Sequence, residues 1–421
     1  MDYETALDVI ADVQGSGVDL GPANPTYPDF PLDEYRLRYA RLGTLLEHLG
    51  LEALVLTQEE PVKYLSGYNS VIWAVGRWLP TTMIATPDPA DAVLIPSAFD
   101  VGAVAGTSWI SNVDGHQAPE EIPSKVAGHL DRLGIDRSKV AVETGPGSIV
   151  MLPYTIAREL MGLFPPDATD AAQVMSVLRM QKSPAEVERV RTIVSATVAG
   201  YRAGLEGARL GMTEKDVVAL VAQGIYANGG TAGTRPLFLN AVAGPDRYPL
   251  VDTAASDRVL REGDVMFLDG GAGGDGYMSD IIRLLAFGEI TSDQEQYANV
   301  AADATRAMVD AARPGTKASE LYQAGQDVFA AAGLGDHGGS LSGHGIGLEI
   351  WERPLLKVHE DPSEDVALRA GMTLCLEPIL APPDDSGGLA GIFVFEQQVL
   401  ITPGGNEVLS GALDAELWRV A

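Results

Sequence analysis

The chain has 421 residues, 46% of them hydrophobic and 21% charged, and its 58 acidic side chains against 29 basic ones give a formal net charge of −29. That length is too great for one ordinary core and points to two domains of a globular protein. The charge argues against a nucleic-acid partner or an anionic membrane surface, since either calls for a basic face. No run approaches the roughly 18 apolar residues that a membrane-spanning helix needs. The opening "MDYETALDVIADVQ" has neither the basic nor the apolar region of a secretory signal, so none is expected. A single cysteine, Cys375, permits no internal disulfide and fits a reducing compartment, so the cytoplasm is the expected location.

In chain order, residues 1–33 are rich in Pro, Asp and Gly and predict a loosely packed arm. "YRLRYARLGTLLEHLGL" has a helical pattern, and "EALVLT" reads as a short buried strand. "TTMIAT", "DAVLIP" and "KVAVET" read as further strands, separated by turns and by helices such as "IPSKVAGHLDRLG". This alternation predicts an N-terminal α/β domain over residues 1–175. A second domain, 176–421, opens with "QKSPAEVERVRTIV", in which Ser183 is a plausible N-cap and Pro184 a first-turn proline. Another helix is expected from Thr213, where Asp216 makes a variant of the capping box. Strands then follow in "RPLFLNAV", "DVMFLDGG" and "GYMSDIIRLLAF", helices in "SDQEQYANVAADATRAMVDAARPG" and "KASELYQAGQDVFAAAG", and strands again in "GMTLCLEPIL" and "GIFVFEQQVLIT". Helices then strands, twice over, predict an α+β domain of two similar halves.

Four acids interrupt apolar strand patterns. Asp269 ends "VMFLD", Asp280 follows eleven residues later beyond a glycine-rich turn, Glu377 lies in "LCLEPI" and Glu396 in "FVFEQQVL". A carboxylate in such a setting is costly unless something pairs with it. His344, framed by glycines in "SGHGIGLEIWERP", adds an imidazole. One acid alone pairs with an arginine about as often as not, but four with a histidine make a site for two hard or borderline divalent cations. A zinc site built from thiolates is excluded by the single cysteine.

These residues, in "GDVMFLDGGA", "GYMSDIIR", "SGHGIGLE", "LEP" and "FEQQVLIT", resemble the pita-bread metallopeptidase family, which includes aminopeptidase P, prolidase, methionine aminopeptidase and creatinase-like enzymes. "PVKYLSGYNS" and "LRMQKSPAEVERVR" resemble that family's N-terminal domain and inter-domain junction, so the likeness covers nearly the whole chain. The resemblance implies an α+β pita-bread catalytic domain behind an α/β creatinase-like N-terminal domain. It implies that Asp269 binds one metal, that Asp280 and Glu396 bridge two, and that His344 and Glu377 complete the second. His344 and Glu377 are then also catalytic, Glu377 as proton shuttle. Metal-activated water would cleave a C–N bond of a small molecule or a Xaa-Pro-like dipeptide. Manganese is the favoured ion, with iron, cobalt and zinc also suited. A homodimer is implied, with "YLSGYNSVIWAVGRW" of one subunit near the other's cleft and Trp73 and Trp78 as its lining.

The sequence departs from the family in its substrate-facing positions. Trp351-Glu352 stands where the peptidases have a histidine followed by an acid, Ser340 and Val251-Asp252 stand at two further histidine positions, and Val394 at an arginine position. One reading is a divergent peptidase in which His337 or His359 supplies an imidazole. Another is a non-peptidase metal enzyme, similar to ectoine hydrolase or to dimethylsulfoniopropionate lyases, in which Trp351, Asp252, Glu352 and Arg353 bind a small cationic or zwitterionic substrate. Gly271 stands where those lyases carry an extra aspartate. A non-catalytic binding protein is the third reading, disfavoured because all five metal-binding residues are present.

Overall fold

The computed structural model describes residues 1–75, 79–145, 149–230, 237–384 and 386–420. The chain divides into two compact units, Met1–Arg179 and Met180–Ala421. No helix among the described residues is long and apolar enough to cross a membrane.

The first unit contains, in order, α1 (Tyr3–Ile10), α2 (Leu32–Leu49), β1 (Ala53–Leu56), α3 (Glu59–Ser66), α4 (Ile72–Val75), β2 (Thr82–Ala85), β3 (Val93–Ile95), α5 (Val101–Thr107), β4 (Asn112–Val113), α6 (Ile122–Leu133), β5 (Val140–Val142), α7 (Tyr154–Met161) and α8 (Ala171–Met180). The strands form one sheet in the order β4-β3-β2-β1-β5, mixed in direction. All four strands expected here are present. The short β4 escaped notice because its two residues, Asn112 and Val113, carry no apolar pattern. On one face of the sheet Ala53, Val55, Ile84, Val93, Val140 and Val142 pack against Val126 and Leu130 of α6 and Leu160 of α7. Helix α6 stops where Gly134 takes a left-handed φ of 67°, which a Cβ would resist.

Two expectations are corrected here. The arm is not loose, because α1 is capped by Asp2 and buries Tyr3, Ala6, Leu7 and Ile10, and Leu20 and Phe30 further along are also buried. The expected boundary at 175 falls in the middle of α8. That helix stays with the first unit almost to its end, through the Tyr64 hydroxyl donating to Leu178 O at 2.8 Å and burial of Val174 and Val177.

The second unit contains α9 (Pro184–Gly207), α10 (Glu214–Ala227), β6 (Phe238–Ala243), β7 (Val265–Gly271), β8 (Gly273–Gly274), β9 (Tyr277–Met278), β10 (Ile281–Phe287), α11 (Ser292–Ala311), α12 (Ala318–Ala331), β11 (Gly343–Gly345), β12 (Glu352–Leu355), β13 (Thr373–Leu376), β14 (Gln397–Thr402), β15 (Gly405–Val408) and β16 (Trp418–Val420). Capping boxes start α9 at Ser183 and α10 at Thr213, each tying the cap to the acid three residues on. The helices pack in sequential pairs, α9 with α10 and α11 with α12. One sheet runs β16-β10-β7-β6 and another β12-β11-β13-β14-β15, so two halves of paired helices and a largely antiparallel sheet recur. The strand expected over "GYMSDIIRLLAF" breaks at Ser279-Asp280 into β9 and β10, and "GIFVFEQQVLIT" becomes ladder only from Gln397.

Candidate metal centre

Register brings the acids together. In the first of these sheets Asp269 of β7 stands opposite Asn240 of β6 and Ile282 of β10. Cross-strand partners share a face, and side chains repeat on it every second residue, so Asp280 falls on that face as well. In the other sheet His344 of β11 stands opposite Cys375 of β13, which stands opposite Gln398 of β14. The same period puts Glu377 and Glu396 on that face, just past the end of β13 and just before the start of β14. The backbone N–H of Glu396 donates to Ile282 O at 3.3 Å, linking the two sheets where the acids lie.

Ligand-type atoms of Asp269, Asp280 and Glu396 all lie within 4.8 Å of one another, and so do those of His344, Cys375 and Glu396. Glu377 Oε1 is 3.3 Å from His344 Nε2, and His344 Nδ1 faces Gly345 O at 2.9 Å. Asp280, His344, Cys375 and Glu396 are buried. Both carboxylate oxygens of Glu396 and Oδ1 of Asp280 lack any hydrogen-bond partner among the described residues. Cys375 adjoins Glu396, though its thiol makes no full hydrogen bond to it.

The electrostatics follow from that crowding. Burial, then the charges of Asp280, Glu377 and Asp252, holds Asp269 well above the usual carboxylate range. Burial, then Asp280, Glu377 and Asp269, does the same to Glu396. Burial pushes Asp280 up to about 7, with His344 opposing and Glu377 adding to the shift. For His344 burial disfavours the charged form, but the contact with Glu377 and the charge of Asp280 outweigh it and raise its pKa. Buried carboxylate oxygens without a hydrogen-bond donor are expensive. Divalent cations would satisfy them, so the donor set fits the metal chemistry of the resemblance.

The scaffold behind the acids is built for rigidity. Tyr201 of α9 donates its buried hydroxyl to Gly270 O at 2.9 Å and also contacts Ile281 O, while Thr197 pairs with Ser279 Oγ at 2.7 Å. Gly271 cannot be replaced freely, because a Cβ there would lie 1.7 Å from Ser279 O. Arg283, buried and with its pKa lowered to about 10 by burial, donates to Glu396 O at 2.6 Å and Leu413 O at 2.7 Å from the opposite face of β10. Sequence reasoning passed over Tyr201, Thr197 and Cys375. The last had a readable signal, since it lies in "LCLEPI" two residues before Glu377.

The substrate-facing residues expected from sequence fare unevenly. Trp351 is 59% exposed, and its ring stacks on His344 with centroids 5.2 Å apart and planes 25° apart. Asp252 is exposed and near enough for its charge to raise Asp269. Glu352, expected to face the substrate, is buried, pairs with Lys182 Nζ at 2.8 Å and accepts from Glu349 N–H at 3.2 Å. Arg353 places its guanidinium 3.0 Å from Glu364. His359 directs Nε2 to Leu355 O at 2.9 Å and Nδ1 towards Glu364, and so serves that loop rather than the acids. Val394 is packed in the core with Phe267 and Ile282. In the first unit Trp73 packs on Tyr68 at 5.6 Å, and Trp78 lies outside the described residues.

Residues 188–403 match Metallopeptidase family M24, and residues 38–181 match the Creatinase/Prolidase N-terminal domain. The chain belongs to the M24 metallopeptidase family. This M24 protein is therefore a metal-dependent hydrolase with the pita-bread fold. It is 31% identical to the probable dipeptidase PepE of Mycobacterium tuberculosis over 83% of this chain and 88% of that protein. It is 27% identical to the Xaa-Pro dipeptidase of Lactobacillus delbrueckii subsp. lactis over 75% of this chain and 82% of the other. The crystal structure of dipeptidase PepE from Mycobacterium ulcerans superposes with a TM-score of 0.77 at 26% identity, covering 93% of this chain and 99% of that one.

Proposed function

We propose that Asp269, Asp280, His344, Glu377 and Glu396 hold two divalent cations, and that the protein hydrolyses a C–N bond of amide or peptide-like character in a small substrate. One observation carries the reading: four carboxylates and an imidazole converge, with buried oxygens of Asp280 and Glu396 left unpartnered. Bound there, the cations supply Lewis acidity and a nucleophile derived from water at neutral pH. The oxygen-rich donor set favours manganese, with iron, cobalt and zinc as alternatives. Glu377, partly exposed and 3.3 Å from His344 Nε2, would help hold a cation there, and its carboxylate would accept a proton during hydrolysis and return it to the leaving amine. Likeness to dipeptidases supports a Xaa-Pro-like dipeptide as the first substrate to test.

A second reading has its own observation. The outward face of Trp351, stacked over His344, together with exposed Asp252 beside Asp269, suits a small cationic or zwitterionic ligand. Within that reading, a lyase needing an aspartate at residue 271 is disfavoured, because no side chain fits there. The test is an assay of Ala-Pro and Gly-Pro against betaine, sulfonium, guanidino and cyclic amidine compounds, with metal supplied, for wild type and Trp351→Ala. Dipeptide turnover at ordinary enzymatic rates, unchanged by the substitution, would leave the tryptophan a packing residue and sink the second reading. Asp280→Asn with full metal content and full activity would sink the first.

The protein also acts as a cytoplasmic homodimer in this reading. Its one cysteine is buried and free. Val71 and Phe99, 68% and 88% exposed, adjoin Ser70 and Asp100, which are tied together by Ser70 Oγ donating to Asp100 at 2.9 Å, and such exposed apolar side chains suit a partner. A monomer by light scattering at micromolar concentration would refute the dimer.

A further inference from the structure

The centre has a donor that the five-residue set leaves out. Cys375 stands directly opposite His344 across the β11–β13 pairing and shares a face with Glu377 two residues on. Its Sγ, a ring nitrogen of His344 and an oxygen of Glu396 lie within 4.8 Å of one another, and all three side chains are buried. Both Glu396 oxygens lack a hydrogen-bond partner among the described residues and only 1% of that residue is exposed, so a desolvated oxygen donor lies beside the sulfur. The two donor triads share Glu396 but differ in chemistry. One offers oxygen only, from Asp269, Asp280 and Glu396; the other offers nitrogen, sulfur and oxygen, from His344, Cys375 and Glu396.

Resting on the metal-centre reading above, we propose that Cys375 ligates the divalent cation on the His344 side, making the two halves of the centre unlike. On ligation the thiol proton passes to solvent and the sulfur binds as thiolate. A soft donor selects borderline cations, zinc, cobalt or ferrous iron, for that half, while the oxygen half takes a harder ion such as manganese.

The full-length protein, stripped with chelator and dialysed, is titrated with cobalt(II) and followed by electronic absorption. Visible d–d bands report that cobalt binds, and a near-ultraviolet sulfur-to-cobalt charge-transfer band reports the thiolate. The expected result is both sets of bands in wild type, with loss of the charge-transfer band alone in Cys375→Ser and Cys375→Ala. X-ray absorption on the zinc-loaded wild type provides a check that needs no variant, with a sulfur scatterer expected at about 2.3 Å. Bound cobalt without the charge-transfer band, or zinc with oxygen and nitrogen scatterers only, overturns the role of Cys375 and leaves the metal centre standing. Failure of the protein to bind cobalt at all overturns both.

Discussion

Replacing Glu396 with glutamine should move the stability of the metal-free and the metal-loaded protein in opposite directions. Neither oxygen of Glu396 accepts a hydrogen bond, so the substitution forfeits none. What it removes is a buried charge whose oxygen lies within 4.8 Å of ligand atoms of both Asp269 and Asp280. At an effective dielectric near 20, two unit charges at that distance repel by about 3.5 kcal/mol. Near neutrality the cluster relieves part of this by taking up protons, since Asp280 titrates at about 7 and the other two lie well above their usual range. Metal-free Glu396→Gln at pH 8 should therefore exceed metal-free wild type by about 1–3 kcal/mol, or roughly 2–10 °C in melting temperature. Metal reverses the order: an ion at 100 times its dissociation constant stabilises wild type by about 2.7 kcal/mol, and the variant, lacking the shared carboxylate, loses most of that gain. Scanning calorimetry on chelator-stripped protein, with and without added manganese or zinc, reads both effects. A metal-free variant less stable than metal-free wild type, or one that gains as much from metal, would refute the reasoning.

Glu143 offers a pH dependence independent of the metals. Burial raises it from 4.5 to about 7 despite hydrogen bonds from Thr57 and Gln58, so the folded state holds a proton that the unfolded state releases. Stability is then fullest below pH 4.5 and falls by about 3 kcal/mol as the pH rises through 7. Glu143→Gln should flatten that slope in urea titrations across this range, whatever it does to the level. Lys182→Met strips the partner from buried Glu352 and should cost about 3–5 kcal/mol while sparing turnover at low temperature, whereas a sharply raised KM in the folded variant would return Glu352 to the substrate. Gly271→Ala should cost about 3 kcal/mol by thermal melt, because its Cβ would meet Ser279 O, and a neutral result would show that the hairpin yields.

The convergence of the four acids was legible because each breaks a local rule of its strand. An aspartate in "VMFLDGG" costs energy wherever that strand is buried, and the glycines after it announce a reversal that returns Asp280 to the same face. Helix starts at Ser183 and Thr213 were legible for the same reason, since capping is a contact between residues three apart. What composition concealed was packing. The Pro- and Gly-rich first 33 residues look loose, yet Tyr3, Leu7, Leu20 and Phe30 are buried, because a few apolar side chains suffice to anchor a segment whose pattern is otherwise irregular.

The neighbours Trp351 and Glu352 mark where local reading ends. In sequence they form one motif, and both were expected to face the substrate. In the structure the β11–β12 pairing shifts register between His344 and Gly345, so Gly345 stands opposite Glu352 while His344 stands opposite Leu355. Glu352 turns inward to Lys182, 170 residues away in sequence, and Trp351 turns outward over His344. No periodicity encodes a bulge of that kind, and no window short enough to read by eye contains both Lys182 and Glu352. The residue types told what chemistry was available, and a partner distant in the chain decided which of the two neighbours is buried and which is exposed. A tryptophan at residue 351 then has a double effect: it covers one face of His344, and it presents to solvent an aromatic surface that cannot supply the proton an imidazole would. In the reading with a small cationic or zwitterionic ligand, selectivity rests on what binds against that surface and beside Asp252, and the acids beneath need not change when the substrate does.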